Sequence, residues 1–218
     1  MDWTQQFDGY CERIDFTYWS EPVNAITNLA FIVAAIVMWR RGAGVPAARF
    51  LAYVTGAIGI GSYLFHTHAT GWAALSDVVP IRIFILAYLF LINRDVWGWP
   101  VWVSVLGTAF YIPYAAVLVP IFDSLPFFHI SDFYWTVPLL LFIYATAMRR
   151  RHPHTARGLA LGGALQCLSM SLRSVDEIVC PAFPLGTHFL WHLINGFMLG
   201  YMIHVYLSHV LAARTAER

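Results

Sequence analysis

Residues 101–121 read VWVSVLGTAFYIPYAAVLVPI and include no charged side chain. An α-helix needs about 20 predominantly apolar residues to cross the hydrocarbon core of a bilayer. In water, a helix that is apolar on every face has to be buried inside a large protein. The chain has only 218 residues, so this stretch predicts a membrane-spanning helix.

The remainder of the chain repeats this pattern. Apolar residues make up 59% of the sequence and charged residues 11%, a composition that excludes an ordinary soluble domain. All 13 basic residues are arginine and 12 residues are acidic, so no basic surface for nucleic acid is expected. The apolar runs predict an all-α, polytopic membrane protein with seven transmembrane helices, at residues 23–39, 50–66, 78–93, 101–121, 132–148, 158–174 and 187–207.

The arginines predict the orientation of these helices, because cytoplasmic loops retain positive charge. We expect the N-terminus outside and the C-terminus in the cytoplasm, with an extracytoplasmic acidic segment at 1–22, a transmembrane domain at 23–207 and a cytoplasmic tail at 208–218. The absence of lysine and the abundance of alanine are typical of a GC-rich bacterial genome, which favours the inner membrane. Ten arginines fall on the predicted cytoplasmic side, namely Arg40, Arg41, Arg49, Arg94, Arg149, Arg150, Arg151, Arg157, Arg214 and Arg218.

Two of the three cysteines, Cys11 and Cys180, fall on the outer side in this topology. Oxidation is permitted there, whereas Cys167 lies within the sixth predicted span. The topology favours a disulfide between Cys11 and Cys180, which would tie the N-terminal segment to the loop before the last helix. Two unpaired thiols are the alternative.

Three of the nine histidines are set apart by their positions. His66 closes the second predicted span at its outer end, and His188 and His192 begin the seventh at the same side. The i, i+4 spacing places His188 and His192 on one helix face, where two imidazoles can bind one ion. A third imidazole from another helix leaves the fourth position of a zinc ion open, as in catalytic sites. The alternative is separate interhelical hydrogen bonds. Solvated or interfacial positions are expected for His68, His129, His152, His154, His204 and His209.

Two polar residues lie near these histidines in the predicted topology. Ser62 is one turn before His66 on the same face, and Asp77 opens the third predicted span from the outer side. Asp77 is also suited to capping the helix, and Ser62 to bonding the carbonyl four residues back. A serine nucleophile is not expected, because a metal would occupy the histidines that such a nucleophile needs as its base.

Together these residues resemble the alkaline ceramidase family, seven-helix zinc amidases related to the adiponectin-receptor-like membrane hydrolases. The resemblance extends over about residues 8–207 and also includes the disulfide. The segments that carry it are Cys11-Glu12, Glu21-x-x-Asn24-x-x-x-Asn28, Gly61-Ser62-x-x-x-His66, Asp77-x-x-Pro80 and His188-x-x-x-His192.

The resemblance implies a function for the transmembrane domain. It implies a catalytic zinc ion bound by His66, His188 and His192, with Asp77 and Ser62 as catalytic residues. The implied reaction is hydrolysis of a linear amide, the N-acyl bond of ceramide or a related N-acyl lipid, to a fatty acid and a sphingoid-type amine. The substrate would come from the outer leaflet of the bilayer, so the active site would face the periplasm.

The resemblance also implies a calcium ion in the N-terminal segment. Its candidate ligands are Asp8, Glu12, Asp15 and Glu21, since carboxylates are the hard oxygen ligands that Ca²⁺ takes. A solvated acidic arm is the alternative.

Two other functions stay open from the sequence. Histidines in membrane spans also bind haem, so His66 with one histidine of the last span would suit an electron carrier. A lipid receptor or transporter that keeps the metal only for its structure is the other possibility.

Overall fold

The computed structural model of the protein describes residues 2–216. Within that part of the chain every regular element is helical, and the one extended pairing joins Gln6 to Thr70. The ten α-helices are α1 (Pro22–Thr27), α2 (Leu29–Arg41), α3 (Pro46–His68), α4 (Gly71–Leu91), α5 (Val101–Ala109), α6 (Tyr111–Asp123), α7 (Asp132–Met148), α8 (Pro153–Ser174), α9 (Asp176–Val179) and α10 (His188–Ala216). The all-α prediction is confirmed for these residues.

Six helical stretches are long and apolar enough to cross a membrane, and each matches a predicted span to within several residues. Four of them combine neighbouring elements: α1 with α2, α5 with α6, α4 with a π-helical turn at Ile92–Val96, and α7 with a 3-10 turn at His129–Ser131. The six stretches are Pro22–Arg41, Pro46–His68, Gly71–Val96, Val101–Asp123, His129–Met148 and His188–Ala216.

The span predicted at 158–174 forms a helix, but it is not among these six. With 22 residues, α8 is about 33 Å long at 1.5 Å per residue, enough to cross a bilayer. It carries Arg157, Gln166 and Arg173 and is therefore much less apolar than the others. This helix packs between α7 and α10.

Close helix packing brings the C-terminal half of α3 to α4 and to α10. At Gly61, a Cβ atom would lie 2.5 Å from the carbonyl carbon of Ser76, so only glycine allows the α4 backbone to approach this closely. At Gly196 of α10, a Cβ would lie 2.8 Å from the backbone of Ala30 in α2. These contacts place α2, α3, α4 and α10 around one buried region.

The N-terminal segment covers this region from one end. The amide of Phe7 donates to the carbonyl of Ala69 at 2.8 Å, beyond the end of α3. A disulfide joins Cys11 to Cys180, with the Cα atoms 5.5 Å apart, which confirms the predicted pairing. Cys167 is a free thiol.

At the other end of the chain, α10 continues through most of the predicted tail. Residues 208–216 are helical and belong to α10. Residues 217 and 218, and with them Arg218 in the orientation count, lie outside the described residues.

Candidate metal centre

Three histidines from two helices converge where α3 meets α10. One ring nitrogen each from His66, His188 and His192 can be chosen so that the three lie within 4.8 Å of one another. The ring centroids are 5.0, 4.7 and 4.6 Å apart for the three pairs, and all three residues are at most 1% exposed. This histidine triad is the one predicted from the spacing of the residues.

Two of the triad rings are oriented by a hydrogen bond at Nδ1. His66 Nδ1 donates to Glu21 Oε2 at 2.6 Å. His192 Nδ1 lies 2.9 Å from Thr27 Oγ1. The Thr27 hydroxyl donates to the Val23 carbonyl at 2.8 Å, so it accepts the proton of His192. In both rings the proton is therefore on Nδ1 and Nε2 keeps a free lone pair. Metal-bound histidines are usually held in this way, with the other ring nitrogen donating to a nearby acceptor.

The third ring is held by stacking. His188 lies against Tyr10, with ring centroids 3.8 Å apart and planes at 28°, and against Trp191, at 5.0 Å and 13°. Within residues 2–216, neither nitrogen of His188 has a hydrogen-bond partner, and neither does Nε2 of His192. Burying unpartnered polar atoms is costly. Three converging imidazole nitrogens therefore fit a metal ion, and nitrogen ligands suit zinc.

The start of α10 is fixed by Asp176. Its Oδ1 accepts the amides of Thr187 at 2.6 Å and His188 at 2.8 Å, and its Oδ2 accepts the amide of Cys11 at 2.9 Å. Gly186, which precedes Thr187, has a φ of 65°. A Cβ atom at this position would lie 2.6 Å from the Cβ of Cys11. This corner therefore sets where His188 begins the helix.

Ser62 and Asp77 are both buried near the junction of α3 and α4. Asp77 is not a helix cap, because α4 begins at Gly71 with Thr70 as its N-cap. Ser62 Oγ does not bond the carbonyl four residues back. Among the described residues, neither Ser62 Oγ nor Asp77 Oδ1 has a hydrogen-bond partner. Both groups are therefore available to a bound molecule.

Within residues 2–216, no three of the four acidic residues predicted to bind calcium lie close enough to share one ion. Both oxygens of Glu12 accept amides at the start of α1, from Val23 at 2.7 Å and Asn24 at 2.8 Å. Asp8 and Asp15 are exposed, and Asp15 Oδ1 accepts bonds from Thr17.

Both carboxylate oxygens of Glu21 also accept hydrogen bonds from other residues of the protein. Its Oε1 accepts from Arg13 Nε at 2.5 Å, and its Oε2 accepts from His66 and from Asn24 Nδ2 at 3.0 Å. Burial favours a raised pKa for Glu21, but the hydrogen bonds from His66 and Asn24 and the charge of Arg13 outweigh it and lower the pKa. A Ca²⁺ ion takes six to eight oxygen ligands, and these residues do not fit one.

An apolar cavity lies between the helices next to residues that contact the triad. Phe31 and Trp191 line it and also lie beside the His192 ring, at centroid distances of 6.2 and 5.0 Å. Gln166 and Asn195 add two buried carbonyl oxygens that have no partner within the described residues. Such a cavity suits a hydrocarbon chain with a polar group at one end.

The haem alternative is not supported by this geometry. Two axial imidazoles lie on opposite faces of a porphyrin, and triad rings this close together leave no room for the macrocycle between any two of them.

Sequence reasoning missed several residues that build the site. Thr27, Tyr10 and Asp176 touch the triad or its backbone but belong to no periodic pattern. Arg13, in the N-terminal segment, was not among the predicted site residues.

Comparison with known proteins supports the resemblance. A family model described as Ceramidase matches residues 8–218, nearly the whole chain. A comparison with curated proteins gave no match.

Proposed function

The chain belongs to the ceramidase family, and on that premise we propose that it is a zinc-dependent intramembrane amidase. It hydrolyses the N-acyl bond of ceramide or a related N-acyl lipid and releases a fatty acid and a sphingoid-type amine. The observation that supports this most is the buried histidine triad, whose ligand nitrogens lie within 4.8 Å of one another.

His66, His188 and His192 would hold the zinc ion. A zinc ion with three protein ligands supplies Lewis acidity, which polarises a carbonyl group and makes water acidic near neutral pH. Glu21 and Thr27 fix the two imidazoles that they contact. Tyr10 and Trp191 stack on both sides of the third and keep bulk water from it.

Asp77 and Ser62 carry the proton transfer and the charge stabilisation in this proposal. The unpartnered Oδ1 of Asp77 takes a proton from the attacking water and returns it to the leaving amine. The hydroxyl of Ser62 donates to the amide oxygen as negative charge develops there. In a buried site these interactions are stronger than they would be in water.

The substrate is positioned by its hydrocarbon chain. The apolar cavity is lined by Phe31 and Trp191, which lie beside His192, and also by Met202. The acyl or sphingoid chain occupies this cavity, and the amide bond lies at the triad. The lipid comes sideways from the outer leaflet.

We also propose the full membrane topology. The helix α8 is the sixth of seven crossings, because its length suffices and its small residues pack on α10: Gly158 on Val205 and Gly162 on Met202. The acidic segment 1–22 then lies in the periplasm of a bacterial cell, the hydrolase domain 23–207 in the inner membrane and the tail 208–218 in the cytoplasm.

The test is metal analysis and fatty-acid release with purified wild type, His192→Ala and His204→Ala. His204 is the matched control, since it lies on the same helix about 18 Å from His192. We expect one zinc per chain and release of fatty acid from an N-acyl lipid for the wild type and His204→Ala, and loss of both for His192→Ala. Full zinc and full turnover in His192→Ala would exclude the site. Zinc without release from any ceramide or other N-acyl lipid would indicate a receptor or transporter instead.

A further inference from the structure

The guanidinium group of Arg13 is buried beside the metal centre, although the residue belongs to the N-terminal segment. Arg13 is 7% exposed. Its Nε donates to Glu21 Oε1 at 2.5 Å, its Nη1 to the carbonyl of Asp15 at 3.0 Å and its Nη2 to the carbonyl of His66 at 3.0 Å. One cation therefore joins the N-terminal segment, the start of α1 and the end of α3.

Arg13 contacts His66 by two routes. It binds the main-chain carbonyl directly, and it binds Glu21, whose other oxygen accepts the proton of His66 Nδ1 at 2.6 Å. The side chains of Arg13, Glu21 and His66 are each about 2% exposed or less. A buried carboxylate requires a paired charge, and Arg13 is the cation bonded to it.

The three oxygens around this guanidinium are the kind that a hard metal ion would take. They are one carboxylate oxygen of Glu21 and the main-chain carbonyls of Asp15 and His66. Carboxylate and carbonyl oxygens are the usual ligands of Ca²⁺. Here all three are bonded to nitrogen atoms of Arg13.

We propose that the guanidinium group of Arg13 takes the place of a metal ion in the N-terminal segment. We also propose that Arg13 is a positioning residue for His66. Through Glu21 it keeps His66 protonated at Nδ1, so that Nε2 points its lone pair at the triad. The protein consequently functions without calcium. This inference rests on the zinc site of the proposed function and extends it to the support of one ligand.

The expected effect of losing this support is weaker zinc binding. Partners of metal-bound histidine contribute about 10- to 100-fold to metal affinity. Arg13→Gln should therefore release zinc to a chelator about 10- to 100-fold faster than wild type. Arg13→Lys keeps the charge but cannot make three divergent bonds, so it should recover only part of the retention.

The experiment measures zinc release from purified holoprotein into excess chelator, monitored by a zinc-sensitive dye. Arg13→Ala is tested with and without added guanidinium ion, which should restore slow release if a planar cation is what the site lacks. The matched control is Arg214→Gln, since Arg214 is exposed and bonded to the Gly44 carbonyl at the far end of α10. Circular dichroism and gel filtration establish that each variant is folded.

Calcium is tested on the wild type alone, by equilibrium binding of radioactive Ca²⁺ in metal-depleted buffer. We expect no stoichiometric binding and no change in zinc release when calcium is added. One tightly bound calcium per chain would overturn the inference, as would wild-type zinc release from folded Arg13→Gln. If none of the Arg13 variants folds, calcium binding by the wild type still tests the inference.

These measurements need no substrate, so they separate this inference from the amidase proposal. Rapid zinc release from Arg13→Gln together with no lipid hydrolysis by the wild type would support the role of Arg13 and reject the amidase.

Discussion

Replacing Thr27 by valine removes one hydroxyl from the surroundings of the metal centre and little else. Valine has nearly the same shape, so the packing of α1 against α3 and α10 is preserved. The Nδ1–H of His192, which is fully buried, then loses the oxygen that accepts it at 2.9 Å. The imidazole is free to rotate or to exchange its tautomer, and either change removes Nε2 from the metal.

The size of the effect follows from this geometry. Leaving a buried neutral donor unpaired costs about 1–3 kcal/mol. If that cost falls on the zinc-bound state, affinity drops by about 5- to 150-fold, since 1.4 kcal/mol is a factor of ten. The range agrees with the 10- to 100-fold effect that is typical of groups hydrogen-bonded to a metal-bound histidine.

The assay is zinc affinity by chelator competition, with Thr67→Val as the control. Thr67 is a buried threonine near the end of α3 whose hydroxyl lies 3.0 Å from Nδ1 of His68, a histidine outside the triad. We expect Thr27→Val alone to weaken zinc binding. Wild-type affinity in Thr27→Val, or the same loss in Thr67→Val, would refute the reasoning that Thr27 orients a metal ligand.

Three further substitutions test other parts of the structure. Asp77→Asn should lower kcat by roughly 10²- to 10⁴-fold, the usual contribution of a general acid–base group, while zinc content by elemental analysis stays at wild type. Cys11→Ser removes a disulfide that closes a long loop and should lower the free energy of unfolding by about 2–5 kcal/mol, seen as earlier thermal unfolding; Cys167→Ser should not. Gly61→Ala places a methyl group against the α4 backbone and should cost at least about 1–3 kcal/mol in the same assay, whereas Gly9→Ala, with open space around it, should not.

Each of these expectations has a contrary result. Loss of zinc from Asp77→Asn would mean that Asp77 supports the metal instead of transferring a proton. Equal thermal unfolding of Cys11→Ser and wild type would mean that the N-terminal segment is held without its disulfide. Unchanged stability of Gly61→Ala would mean that α3 and α4 do not approach as closely as the backbone contact at Ser76 indicates.

Local patterns in the sequence were sufficient to predict the helices and the triad. Apolar runs of spanning length gave the helices, and the i, i+4 spacing of His188 and His192 placed two ligands on one face. The third ligand, His66, required only the assumption that spans alternate in direction. The sixth predicted span differs from the others, because α8 is a helix of spanning length that carries polar residues and packs against α7 and α10.

The surroundings of the triad could not be predicted in the same way. Thr27 and Tyr10 meet the histidines only after helices distant in sequence pack together. From the sequence, Asp77 suits a helix cap as well as an active-site position. Only the observed start of α4 at Gly71 excludes the cap.

The calcium site stays a prediction, but the fold already supplies other donors to two of its candidate carboxylates. Glu12 and Glu21 have the side chains that Ca²⁺ prefers, but the donors that bind them are backbone amides, Arg13 and His66. The sequence shows which partners a carboxylate is able to bind, but only the fold shows which donors already bind it.

The most direct test of the metal centre is zinc K-edge X-ray absorption on the purified holoprotein. Three imidazole ligands at about 2.0–2.1 Å are expected in the wild type, and two in His192→Ala if that variant retains any zinc. A wild-type spectrum with fewer than three imidazoles, or with sulfur in the first shell, would contradict the assignment of His66, His188 and His192 as one zinc site.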